Sequence, residues 1–332
     1  MSISCQRYLV ASARRGALER DARIGLASTP KSLPPVWFYD ERGSALFEAI
    51  TELPEYYLTR AERSILSKYG HQIVERAGCS TLVELGSGSS QKTRLLLDAM
   101  AANGLDHFVA LDVSEEILVG SANSVHTDYG VDVTAIVGDF HHHLGTLPAR
   151  GRRLVVFLGS TIGNFEPTLR RRFLHNVAST MAPDDRFLLG ADLRKDPGRL
   201  IQAYDDATGL TAEFNRNVLY VLNNELGADF APERFEHVCV WDDGASRIEM
   251  RLRAVQPEQV RIPALEMEVV FAKGEELLTE ISTKFTRAQV ISELGLSGLA
   301  TEGIWTDEGG DFILALARPM PPAQGRMRSG RG

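Results

Sequence analysis

Cysteine is scarce, with 3 residues in 332, at positions 5, 79 and 239. They stand far apart and form no C-x-x-C pair, so a cysteine-built zinc or cluster site has no support. Their odd number suits a reducing compartment. No apolar run approaches the roughly 20 residues of a membrane-spanning helix. No secretory leader is expected either, because the apolar stretch 8–13 is short and runs into Arg14-Arg15. An excess of positive charge is also missing: 36 Lys and Arg face 44 Asp and Glu, a net charge of -8. That disfavours a surface devoted to gripping nucleic acid. A chain that is 44% hydrophobic and 24% charged is neither collagen-like nor disordered, and this length exceeds one typical core. The expectation is a cytoplasmic globular protein, monomeric and bound to neither nucleic acid nor membrane, with one large domain carrying an insertion, or two domains.

The segment order is more informative. Residues 61–77 have helical periodicity, with apolar positions at Ile65, Leu66, Tyr69, Ile73 and Val74. A buried-type strand at 81–85 runs into the turn Gly86-Ser87-Gly88, and further strands are predicted at 108–111, 133–137, 154–158 and 186–190. Glu84, Asp112 and Asp139 recur at intervals of one strand-helix unit, the rhythm of a parallel α/β sheet. After Asp192 the rhythm breaks. Residues 246–255 alternate Ile248, Met250 and Leu252 with charged neighbours, as a half-buried antiparallel strand does. Stretches 264–272 and 277–285 are predicted to pair as a hairpin across Lys273-Gly274-Glu275-Glu276. A helix at 286–294 and strands near 299–305 and 311–318 return to the main sheet.

In a doubly wound sheet, ligands bind beyond the carboxyl ends of the strands. Gly86 and Gly88 allow close backbone approach there, Asp112 can accept from ribose hydroxyls, and Asp139-Phe140 offers a polar edge and a flat face to adenine. A nicotinamide fingerprint would need a third glycine where Gln91 stands. Glu84 adds negative charge beside the turn, which suits a sulfonium better than a pyrophosphate. These residues point to S-adenosyl-L-methionine.

Six blocks then occur in order: Tyr39-Asp40-Glu41-Arg42-Gly43-Ser44, Leu53-Pro54-Glu55-Tyr56-Tyr57, Glu84-Leu85-Gly86-Ser87-Gly88, Gly159-Ser160-Thr161-Ile162-Gly163-Asn164, Ser246-Arg247-Ile248-Glu249-Met250 and Thr279-Glu280-Ile281-Ser282. Together, from Tyr39 to Arg318, the chain resembles the L-histidine Nα-methyltransferases of ergothioneine biosynthesis. The resemblance implies a Rossmann-like class I methyltransferase sheet with an inserted α+β substrate-binding domain, and trimethylation of L-histidine to hercynine. It implies that Tyr39, Gly86, Lys92, Asp112, Asp139 and Phe140 hold S-adenosylmethionine. Tyr56, Asn164, Tyr204, Met250, Glu280 and Ser282 would surround histidine, and Gly159 and Thr161 would lie near the reacting amine. The expected division is 1–60 and 196–285 for the substrate domain, 61–195 and 286–319 for the methyltransferase core, and 320–332 as a disordered tail.

Without the resemblance, Glu280 would read as a solvated edge-strand residue, Met250 as core filler, Asn164 as a turn residue and Tyr204 as a packed tyrosine. With it, Glu280 and Ser282, two apart on a strand, can address the two nitrogens of one imidazole. Gly159 and Gly163 would leave room for added methyl groups. His141-His142-His143 reads as a solvated loop, since three consecutive residues cannot converge on one metal ion. Rival readings are an Nα-methyltransferase for another aromatic amino acid such as tryptophan, a nicotinamide oxidoreductase, and a noncatalytic S-adenosylmethionine-binding protein.

Overall fold

The computed structural model describes residues 2–321. The chain begins with strand β1 (Ile3–Arg7), helix α1 (Ala11–Ala27), the short strand β2 (Lys31–Ser32) and helices α2 (Glu41–Thr51) and α3 (Tyr57–Ala77). Strands and helices then alternate: β3 (Thr81–Leu85), α4 (Arg94–Ala101), β4 (His107–Asp112), α5 (Glu115–Tyr129), β5 (Asp132–Val137), β6 (Arg153–Phe157), α6 (Pro167–Thr180) and β7 (Arg186–Asp192). The inserted segment holds α7 (Pro197–Tyr204), α8 (Leu210–Leu226), β8 (Phe235–Asp242), β9 (Arg247–Ala254), β10 (Glu258–Ile262), β11 (Met267–Phe271) and β12 (Glu276–Thr283). The chain closes with α9 (Arg287–Leu296), β13 (Leu299–Thr306) and β14 (Phe312–Pro319).

The large sheet runs β1-β5-β4-β3-β6-β7-β14-β13. Every pair from β1 to β7 is parallel, and β14 lies antiparallel between β7 and β13. All five residues of β3, and all five of β6, are buried, as strands covered on both faces must be. The order reverses beside β3, which pairs with β4 on one side and β6 on the other. The loops after β3, β4 and β5 therefore open into one crevice.

Two of the strand expectations change. Residues 1–60 are assigned by sequence to the substrate domain, yet β1 pairs in register with β5 (Cys5 opposite Ala135) and belongs to the large sheet. The predicted hairpin between 264–272 and 277–285 does not form. β11 pairs instead with β10, while β12 lies antiparallel to β9. The reason is at the Gly274 turn, where Gly274 N–H donates to the Ala254 carbonyl and Ala254 N–H donates to the Glu275 carbonyl. That exchange carries the chain onto the end of β9 and away from β11.

The second sheet runs β2-β12-β9-β8. As the alternation in β9 requires, Ile248, Met250 and Leu252 are buried on one face. Glu249 is buried too, because Arg247 and Arg251 on either side both pair with it. Residues 31–51 join this lobe. β2 pairs with β12, the Asn217 side chain donates to the Phe38 carbonyl at 2.9 Å, and Arg42 pairs with Glu213 at 2.9 Å. Most of the expected disordered stretch 320–332 lies outside the described residues. No helix among the described residues is long and apolar enough to cross a membrane.

Candidate active site

The carboxyl ends of β3 to β6 and one face of the second sheet enclose a cavity of about 730 Å³. Every site residue expected from the sequence lines it: Tyr39, Gly86, Lys92, Asp112, Asp139 and Phe140, Tyr56, Asn164, Tyr204, Met250, Glu280 and Ser282, and Gly159 with Thr161.

On the large-sheet side, Gly86 and Gly88 both have positive φ, and a Cβ at Gly86 would sit 3.5 Å from the Phe140 ring. Asp112 accepts from Gly88 N–H at 2.9 Å through one oxygen and from Ser114 N–H at 2.8 Å through the other. Each oxygen keeps a lone pair for a diol, and burial raises the carboxyl above its ordinary range. Phe140 packs on Phe157 and Phe173 with ring centroids 5.3 and 5.7 Å away, which leaves a rigid wall. These groups fit S-adenosylmethionine: acceptors for ribose, an aromatic wall for adenine, and glycines where the ligand must come close.

Glu84 behaves differently from its expected role as a free negative charge. It accepts hydrogen bonds from Ser90 (2.8 Å) and Thr93, and burial pushes its carboxyl up to about 7. It ties the glycine turn to the start of α4. The histidine run also departs from a solvated loop, since only His142 is exposed. His141 packs 4.6 Å from Phe165, and His143 Nδ1 accepts from Asp139 N–H at 2.9 Å, fixing the strand-end acid.

The turn after β6 carries two consecutive left-handed residues, Gly159 (φ 74) and Ser160 (φ 59). Gly159 N–H is held by both oxygens of Glu62, at 2.9 and 3.0 Å, and Glu62 also pairs with Lys92 at 2.6 Å. Glu62 is fully buried and went unnoticed in the sequence. Its position on the apolar stripe of α3, one turn before Ile65 and Leu66, was the available signal. Gly163 does not make room for methyl groups. A Cβ there would lie 2.8 Å from the Thr283 carbonyl oxygen, so the glycine lets β12 pack against the turn.

The other wall is aromatic. Tyr39 meets Phe47 and Phe214 edge-on, and Tyr56 meets Tyr204 with centroids 6.1 Å apart. Asp40 caps α2 through Gly43 N–H, and Gly43 is pressed so closely on the Phe38 carbonyl that no Cβ would fit, which fixes Tyr39. Burial raises the hydroxyls of Tyr39, Tyr56 and Tyr204 well above the ordinary tyrosine range, so they remain neutral donors.

β12 is an inner strand, between β2 and β9, and its register shifts between Leu278 and Glu280. Such a bulge re-aims the following side chain. Glu280 is 8% exposed, and no donor among the described residues reaches its carboxylate. Burial pushes its carboxyl up to about 7, with Lys284 opposing the rise. Ser282 is hydrogen-bonded to Tyr204 at 2.8 Å. Behind both stands a second group that sequence reading missed. Lys284 pairs with Asp192, and Asp192 also meets Lys195 and the Tyr57 hydroxyl. Lys284, two residues beyond Ser282, continues the alternation that begins at Glu280, and that spacing was its only signal.

A switch-point crevice with a glycine turn, a diol-accepting aspartate and an adenine wall, roofed by a second lobe, defines a class I S-adenosylmethionine-dependent methyltransferase. Residues 18–319 match the family described as "Histidine-specific methyltransferase, SAM-dependent", and the chain belongs to that family. It is 53% identical over 319 residues to a histidine N-alpha-methyltransferase of Mycolicibacterium smegmatis, covering 96% of this chain and 99% of the relative. With the protein of the same name from Mycobacterium tuberculosis it shares 51% over 319 residues, with the same coverage. Ergothioneine biosynthesis protein 1 of Neurospora crassa is 30% identical over 323 residues, which span 92% of this chain but 36% of that protein.

Proposed function

We propose that this enzyme transfers methyl groups from S-adenosylmethionine to the α-amine of L-histidine, three times, giving hercynine in the first step of ergothioneine biosynthesis. One observation carries the choice of substrate: Glu280 presents a buried carboxylate with no protein donor to the cavity, on the wall that also bears Ser282. An unpaired buried acid costs stability unless a ligand completes it. An imidazole N–H completes it, and an indole or phenyl ring matches the Glu280 and Ser282 pair less well.

When bound, S-adenosylmethionine would supply an electrophilic methyl carbon on a cationic sulfonium that departs as a neutral thioether, the positive charge passing to the amine. The protein's task is positioning. Asn164 and Tyr204 would hold the substrate carboxylate, Glu280 and Ser282 the imidazole, and Met250 would fill the space between. With both ends fixed, the amine faces the Gly159 turn. The tyrosines and the second lobe keep water from the amine, which lowers its pKa and favours the free base with its lone pair. Glu62 holds Gly159 and Lys92 in one arrangement, so the turn does not have to reorganise during the reaction. Three unpaired cysteines agree with a cytoplasmic setting.

The test is incubation of the protein with S-adenosylmethionine and a panel of amino acids, followed by mass spectrometry. Histidine should gain up to three methyl groups. Preferential methylation of tryptophan or tyrosine would replace the substrate assignment, and cofactor binding with no methylated product from any amino acid would replace the catalytic one.

A further inference from the structure

We propose that Lys284 is a positioning residue for the amino-acid substrate: its ammonium holds the Tyr204 and Ser282 hydroxyls as one polarised donor unit aimed at the substrate carboxylate. The inference deepens the reading above and rests on it for the placement of that carboxylate.

Lys284 is fully buried, lies outside the cavity lining, and has three N–H donors. Each has one acceptor: Asp192 Oδ2, Tyr204 Oη and Ser282 Oγ, all at 2.8 Å. A lysine ammonium only donates, so both hydroxyl oxygens must accept from it. The two oxygens are also 2.8 Å from each other and share one hydroxyl hydrogen. Two hydroxyls own two hydrogens, so one is left to donate into the cavity. When Ser282 donates to Tyr204, the tyrosine donates to the substrate carboxylate, and Ser282 keeps a lone pair for the second N–H of an imidazolium whose other N–H is held by Glu280. This arrangement serves both ends of histidine. An ammonium bound to a hydroxyl oxygen also strengthens that hydroxyl as a donor.

Asp192 keeps the lysine in place. It is itself fully buried, accepts from the Tyr57 hydroxyl at 2.6 Å, and meets Lys195 at 2.5 Å through its other oxygen. One carboxylate therefore faces two lysines, with Glu280 as the next buried acid in the field of Lys284. The Lys284 ammonium also lies 4.5 Å from the Tyr204 ring centroid, which locks the ring as well as the hydroxyl.

The experiment measures dissociation constants calorimetrically, with S-adenosylhomocysteine present, for L-histidine and for histamine. Histamine has the same ring and amine but no carboxylate. Lys284→Met should weaken histidine binding by about tenfold, the scale of one charge-assisted hydrogen bond, and leave histamine within about twofold. The preference for histidine over histamine then falls about tenfold, while S-adenosylhomocysteine affinity stays at the parent value. Equal weakening of both ligands would overturn the proposal, because a merely structural lysine would act on both alike. If Lys284→Met loses S-adenosylhomocysteine binding and so its fold, Tyr204→Phe decides. That variant should show the same fall in preference, and an unchanged preference would overturn the proposal. Should the parent act on another amino acid, the histidine assignment fails separately, and the Lys284 proposal is scored with that amino acid and its decarboxylated amine.

Discussion

Replacing Glu280 by glutamine should stabilise the protein while weakening its hold on histidine. The carboxyl of Glu280 is raised by burial from 4.5 to about 7, with no donor among the described residues to offset the cost. The sign follows from that direction. Below 4.5 the carboxyl is protonated in both folded and unfolded chains, and burying it carries no electrostatic penalty. Between 4.5 and about 7 the unfolded chain ionises while the folded chain keeps its proton, so stability falls, and above about 7 the folded chain holds a buried negative charge at a constant cost. The gap between 4.5 and about 7 corresponds to on the order of 3 kcal/mol at pH 8. Glutamine keeps the shape and removes the charge but buries an amide, so the expected net gain is about 1–2 kcal/mol at pH 8. Urea denaturation of parent and Glu280→Gln should show that gain at pH 8, shrinking steadily toward pH 5. In the same variant, kcat/KM for histidine should fall by about 10- to 100-fold, the loss of a charged hydrogen bond. No stabilisation at pH 8, or a gain equal at both pH values, would show that Glu280 does not bear a buried charge and would refute this reasoning.

Asp112→Ala should weaken S-adenosylhomocysteine binding by about 1.5–3 kcal/mol in calorimetry, because its free lone pairs are the diol acceptors at the end of β4. Glu62→Gln should lower kcat about tenfold or more with little change in histidine KM, since the amide loses the charge that pairs with Lys92 and puts an NH2 donor in place of one of the two oxygens that hold Gly159 N–H. Steady-state kinetics reads that split. Gly163→Ala should cost about 1–3 kcal/mol in denaturant unfolding, because its methyl group would overlap the Thr283 carbonyl.

The central sheet was legible because parallel strands buried on both faces appear as unbroken apolar runs, as β3 and β6 do. β1 was not, because an edge strand reading ISCQR, mostly exposed, carries no such run. β10, with the sequence EQVRI, hides for a similar reason, and missing it left 264–272 without its true partner. The cofactor half of the site followed from residue types at strand ends, since position and chemistry coincide there. The substrate half came from the resemblance, because no local pattern shows that Glu280 lies on an inner strand facing a cavity. Buried charge was the systematic blind spot. Glu62, Lys284 and Arg170, the last buried against Glu293, look like surface residues until their partners arrive from distant segments.

Locating the methyl groups on the product tests the account most directly. With S-adenosylmethionine carrying a 13C-labelled methyl, the product formed from histidine should give one NMR signal from three equivalent methyls on the α-nitrogen, and the imidazole should be unmodified. Label on a ring nitrogen would contradict the account, because it would mean that Glu280 and Ser282 do not hold the imidazole away from the Gly159 turn.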